Sequence, residues 1–102
     1  MRRNKANNFE ARVPVLFFEE GDKIVAYSPA LDLSTFGKTE EQAKKRFAEA
    51  ATLFITEIME MGTVDEVLEE CGWRRMPSQH TWVPPIYRKC EEELVQIPAG
   101  AY

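Results

Sequence analysis

The chain of 102 residues holds one histidine, two cysteines and five glycines, and each shortage removes a class of chemistry. Cys71, Cys90 and His80 include neither a Cys-x-x-Cys nor a His-x-x-x-His spacing, so no zinc ligand set and no other metal site is expected. His80 stands in a proline-flanked stretch without a neighbouring nucleophile motif, and it reads as a loop histidine rather than a catalytic base. The glycines are scattered at turn and helix-end positions, so no phosphate-cradling loop and no nucleotide cofactor are expected. No window approaches the ~18 consecutive apolar residues of a spanning helix. Residues 1–8 are not followed by the apolar core of a signal peptide. The expectation is a cytoplasmic protein without membrane contact, whose two cysteines stay reduced.

What is present is ordinary globular material, 44% hydrophobic and 29% charged. A chain of this size buries about two thirds of its unfolded surface around one core, so residues 1–102 are read as a single domain. The net charge of -4 opposes a protein that tracks phosphate backbones, which needs a basic field. It suits a basic protein partner.

Alternation from Phe9 to Phe18 predicts a strand that becomes apolar on both faces toward its end. Pro14 cannot donate to a ladder and places that part at an edge or bulge. Glu20-Gly21-Asp22-Lys23 is a turn signal, Ile24 to Tyr27 the returning strand, and Leu31 to Phe36 a third strand stopped by Gly37. Asp32, an acid in that apolar run, reads as a backbone-capping group.

Thr39 is a helix N-cap, Gln42 completes a capping box, and Glu40 and Glu41 suit the positive end of the helix dipole. The predicted helix spans 39–61. Its apolar face carries Ala43, Phe47, Ala50, Ala51, Phe54, Ile55, Ile58 and Met61. Gly62 ends it, Thr63 and Glu66 offer a second capping box, and Gly72 stops a short helix so that Trp73 folds back onto Leu68 in a Schellman motif. Prolines at 77, 84 and 85 then predict an extended arm over 74–93, leading to a last strand at Leu94-Val95-Gln96-Ile97. Residues 1–8 are expected to be a flexible stub.

The Gly37-x-Thr39-x-Glu41-x-Ala43 junction, in its strand-strand-strand-helix-helix setting, resembles the N-terminal domain of HicB-like antitoxins over approximately residues 13–72. Gln42 replaces the second acid usual in that family, and Leu33-Ser34 stands where many members have proline and glycine. Gly72-Trp73 and Trp82-Val83-Pro84-Pro85 are similar to a subgroup of small members with a proline-containing arm. The resemblance implies an α+β domain, a small mainly antiparallel sheet on one long helix in the order β-β-β-α-α-β, like a partial double-stranded-RNA-binding domain. It implies a non-enzymatic protein that binds and neutralises a small basic mRNA-cleaving toxin of the HicA type. The DNA-binding domain of many members has no counterpart here, since no helix pair follows Trp73.

Such a role requires no catalytic residue. The expected partner contacts are the acidic turn at Glu19, Glu20 and Asp22 and the arm around Trp82 and Tyr87. The aromatic and basic residues at 73–75 and 82–89 could stack on single-stranded RNA, but the acidic balance favours the reading that they pin the arm to the domain. The apolar Leu16-Phe17-Phe18 and the aromatic arm lead to the expectation of a homo-oligomer. The competing reading is a stand-alone scaffold or regulatory protein-binding module of the same fold without a toxin partner.

Overall fold

The computed structural model describes residues 2–3, 9–76 and 81–100. Two short strands, β1 (Arg2–Arg3) and β2 (Phe9–Glu10), pair antiparallel. Part of the expected stub is therefore strand, while residues 4–8 lie outside the described residues. The central sheet comprises β3 (Leu16–Glu20), β4 (Lys23–Ser28) and β5 (Leu33–Gly37), antiparallel in that order. Helices α1 (Glu40–Glu60) and α2 (Val64–Glu70) follow, then a small antiparallel hairpin of β6 (Arg74–Met76) and β7 (Thr81–Val83). The class is α+β, as expected, but the order after the helices differs from a single closing strand.

The strand boundaries moved for backbone reasons. Pro14 has no N–H to give a ladder, and the sheet strand begins only at Leu16, with 11–15 irregular. The turn falls on the four residues expected. Glu20 pairs with Lys23, leaving only Gly21 and Asp22 between the strands, and Gly21 has φ +64° at the position where a type II′ hairpin turn takes glycine. Leu31 and Asp32 belong to the turn before β5 rather than to the strand, and Asp32 has φ +48°. Its side chain does not cap the backbone; Oδ1 accepts from the Tyr27 hydroxyl at 3.1 Å.

The β5–α1 junction is built by close approach. A Cβ on Gly37 would stand 2.7 Å from the Ala43 backbone nitrogen and 3.0 Å from two Gln42 atoms, so no side chain fits where the helix starts. Thr39 Oγ1 accepts from the Gln42 N–H at 3.1 Å, and Gln42 Oε1 accepts from the Lys38 N–H at 2.7 Å. The capping box thus forms with its return bond one residue before the cap. Thr35 Oγ1 donates to the Ala43 carbonyl at 3.4 Å across the same seam.

Helix α1 lies mainly over β4 and β5. Its buried residues are Ala43, Phe47 and Ile58; Ala43 and Phe47 join Ala26, Leu31, Leu68, Trp73 and Trp82 in one cluster. Phe54 and Ile55 are half-buried against that cluster, and Met61 is 71% exposed rather than part of the face. Met61 is the C-cap, one residue past the end of α1.

Both helices end in the Schellman pattern. Thr63 N–H donates to Ile58 O at 2.9 Å, and Trp73 N–H to Leu68 O at 2.9 Å, with Gly62 and Gly72 at positive φ. The second capping box does not form: the Thr63 hydroxyl instead donates back to the Ile58 carbonyl at 3.5 Å. Trp73 is buried, and its Nε1–H donates to the Ala30 carbonyl at 2.7 Å, tying the C-terminal half to the β4–β5 turn.

Two substitutions test this account. Gly37→Ala should destabilise by about 1–3 kcal/mol or more through overpacking at the seam. Phe47→Ala should cost about 3–5 kcal/mol, the range for deleting a core phenylalanine. Urea unfolding monitored by circular dichroism reads both, and a loss under about 0.5 kcal/mol at Gly37, the scale of an ordinary surface change, would show the helix start to be loose.

Candidate protein-binding surface

The tip of the β3–β4 hairpin carries the three acids singled out from the sequence. Glu19, Glu20 and Asp22 are all exposed. Strand alternation sends Glu19 and Glu20 to opposite faces of the sheet. Glu20 sits opposite Lys23 in the register, whose Nζ lies 4.5 Å from the centroid of the Phe36 ring. Glu19 lies on the helix side, opposite Ile24.

There the sheet is only partly covered, because α1 sits toward β5. An open depression of about 640 Å³ results, floored by Phe17, Phe18 and Ile24. Its rim is Glu19 from β3 and Lys38, Thr39 and Glu40 from the start of α1. Phe17 and Phe18 point to opposite faces yet both line it, so the depression wraps the free edge of β3. Two acids from separate elements, Glu19 and Glu40, line it together with Lys38, with Glu20 and Asp22 just beyond. From the sequence, Glu40 reads only as a dipole-facing residue; its place beside Glu19 depends on the close β5–α1 junction.

The other two expected contact residues do not join this group. Trp82 is 9% exposed and is a core residue, part of the cluster with Phe47 and Trp73, so its ring is not a surface contact. It pairs across from Arg75 in the β6–β7 hairpin, and Arg75 in turn bridges to Asp65 of α2 at 3.3 Å. The expected extended arm over 74–93 is therefore a hairpin in its first part; residues 77–80, including His80, lie outside the described residues. Tyr87 is exposed on the chain leaving the hairpin, close enough to Tyr27 to contribute to its electrostatics.

Two groups among the described residues titrate away from their ordinary values. The hydrogen bond to Asp32 is the main cause raising the Tyr27 hydroxyl above its ordinary 10.0. Burial, then the charges of Asp32 and Glu70, raise the Cys71 thiol above 9.0. In both cases the folded state holds the proton more tightly. Their contribution to stability is thus present below the ordinary pKa and lost as pH rises past it. Both cysteines are free. Among the described residues no cluster of three metal-ligating side chains occurs, no buried side-chain polar atom lacks a partner, and no helix is long and apolar enough to cross a membrane.

The chain matches no known family model, no curated protein and no solved structure.

Alkylation separates the two thiols. Iodoacetamide at pH 8 should modify the exposed Cys90 several-fold faster than Cys71, because only the thiolate reacts and burial suppresses it at Cys71. Equal rates by mass spectrometry would show that Cys71 is open to solvent.

Proposed function

We propose that this protein is an antitoxin-like inhibitor that binds a small basic mRNA-cleaving protein of the HicA type and covers its active surface. The observation that carries the reading is the open depression between β3 and the start of α1, where Glu19, Glu40 and Lys38 stand with Phe17, Phe18 and Ile24, flanked by the hairpin-tip acids. A basic ribonuclease presents cationic side chains that bind RNA phosphates; opposed carboxylates steer such a partner in, and the exposed Phe17 and Phe18 add apolar contact. The resemblance of the Gly37 to Ala43 junction to HicB-like domains, and the β3-β4-β5-α1-α2 order around it, support the same reading. Inhibition by coverage asks for no catalytic residue and no cofactor in this chain. Glu19, Glu20, Asp22 and Glu40 are the residues assigned to contact the partner.

The test is co-expression with any small basic protein encoded beside this gene, read by growth and by co-purification. Rescue of growth with a stable complex is expected. Glu20→Lys combined with Asp22→Lys, both exposed, should leave the fold intact and slow association about tenfold or more at low salt, the effect shrinking as ionic strength rises. Absence of a toxic neighbour, or toxicity that persists without a complex, sinks the antitoxin reading.

A further inference from the structure

The last described segment of the chain is unlike the rest. Residues 84–98 contain no helix or strand, and among the described residues none of the backbone hydrogen bonds found outside helices and strands involves them. Pro85 still packs over Gly72. Beyond it Leu94, Val95 and Ile97 are 90%, 71% and 59% exposed, although Leu94-Val95-Gln96-Ile97 has the composition of a strand and is bounded by Pro98. The molecule is correspondingly drawn out, 52 × 29 × 25 Å with a radius of gyration of 16.6 Å, against about 13 Å for a compact domain of this length.

Among the described residues one edge strand of the central sheet has a neighbour on one side only. β3 is an edge of the central sheet. The closing pair of its two-residue hairpin, Glu20 with Lys23, exchanges both backbone bonds, so Leu16, Phe18 and Glu20 turn their N–H and C=O groups toward β4. Phe17 and Glu19 turn theirs outward. The even-numbered Pro14 spares this outward set, since its missing N–H would face β4. An exposed apolar strand edge of this kind is a template for another strand, and the chain has one unpaired strand-like segment for each such edge.

We propose that the protein forms a dimer by reciprocal strand exchange, in which Leu94-Val95-Gln96-Ile97 of each copy adds to the free edge of β3 in the other. Charge selects the direction. An antiparallel strand would bring Glu91-Glu92-Glu93 against Glu20 and Asp22, and like charges placed opposite one another oppose pairing. A parallel strand carries those acids toward Arg12 at the other end and sets Leu94 beside Leu16 and Val95 beside Phe17, apolar against apolar on both faces. Parallel pairing between separate chains needs no crossover connection. Pro98 ends the added strand near Glu19; the strand lies along the Phe17 to Glu19 edge that the depression wraps, so in the dimer the contacts left to the basic partner proposed above are Glu20 and Asp22 at the hairpin tip and Glu40.

Light scattering on the full chain at high micromolar concentration should give twice the 11.8 kDa chain mass. Val95→Pro removes an N–H in the added strand at a residue that touches no core, and should yield a monomer with an unchanged circular dichroism spectrum. A wild-type monomer, or a Val95→Pro dimer, overturns the proposal. Should the variant lose both dimer and fold, disulfide trapping decides. In a Cys90→Ser background, Leu16→Cys and Leu94→Cys chains bearing different tags are mixed and oxidised. Neighbouring strands stand ~4.8 Å apart, within disulfide reach, so a mixed disulfide between the two chains is expected, and its absence overturns the proposal.

Discussion

The structure depends on how near the backbone of α1 comes to the end of β5. At Gly37 there is no room for even one carbon beyond the main chain, and that closeness sets the angle at which the helix leaves the sheet. Thr39 and Gln42 then satisfy the first free N–H groups of the helix and of the turn before it. Ala43, fully buried, lets the first turn lie flat, and Phe47 one turn later enters the core. A wider junction would lift Phe47 off Ala26 and leave Trp73 and Trp82 without a surface to close against. The Trp73 bond to Ala30 works from the other side of the core: it fixes the turn before β5 to the end of α2, so both ends of the β5–α1 unit are held.

This part of the fold was legible because local and tertiary signals agree there. Thr39, Gln42, Gly62 and Gly72 each act through their own backbone neighbourhood, as cap, return bond and left-handed terminations; Gly37 ends the strand as its position implies, while the close approach of the helix there shows only in the structure. The helix bounds follow from them almost to the residue. Where a signal depends on what lies across space, reading the chain alone went astray. Met61 fits the spacing of the apolar face but falls past the end of the surface that could cover it. Thr63 and Glu66 have capping-box spacing, yet the Schellman turn before them places the Thr63 hydroxyl nearer the Ile58 carbonyl. Asp32 looked like a strand acid because the turn that contains it has no glycine.

The C-terminal third departs from its sequence pattern. The prolines predict an extended arm, whereas strand pairing between Arg74–Met76 and Thr81–Val83 leaves Pro84 and Pro85 just past the hairpin. Trp82, two residues before them, is drawn into the core by its own apolar area. Its role as an anchor for the arm was correct in kind; its role as a contact for a partner conflicts with its burial. The acids fared differently. Glu19, Glu20 and Asp22 lie where a turn of that composition puts them, but their shared surface with Glu40 arises only from the close junction at Gly37.

The same junction explains why surface remains to be used. Because α1 is held tightly against β5, it cannot also lie over β3, and one helix is not wide enough for three strands. Phe17 and Glu19 are thereby left beside open space, and Leu16, Phe18 and Phe36 stand on a sheet face with no second layer among the described residues. A domain of this size with so few fully buried large side chains has apolar area to spare, and its own terminal segment carries three more exposed aliphatic residues. Pairing that segment with the β3 edge satisfies backbone and apolar needs together, while the alternation that splits Glu19 from Glu20 keeps the charged tip outside the seam. One constraint, the missing side chain at Gly37, thus separates an edge suited to strand addition from an acidic corner suited to a basic partner.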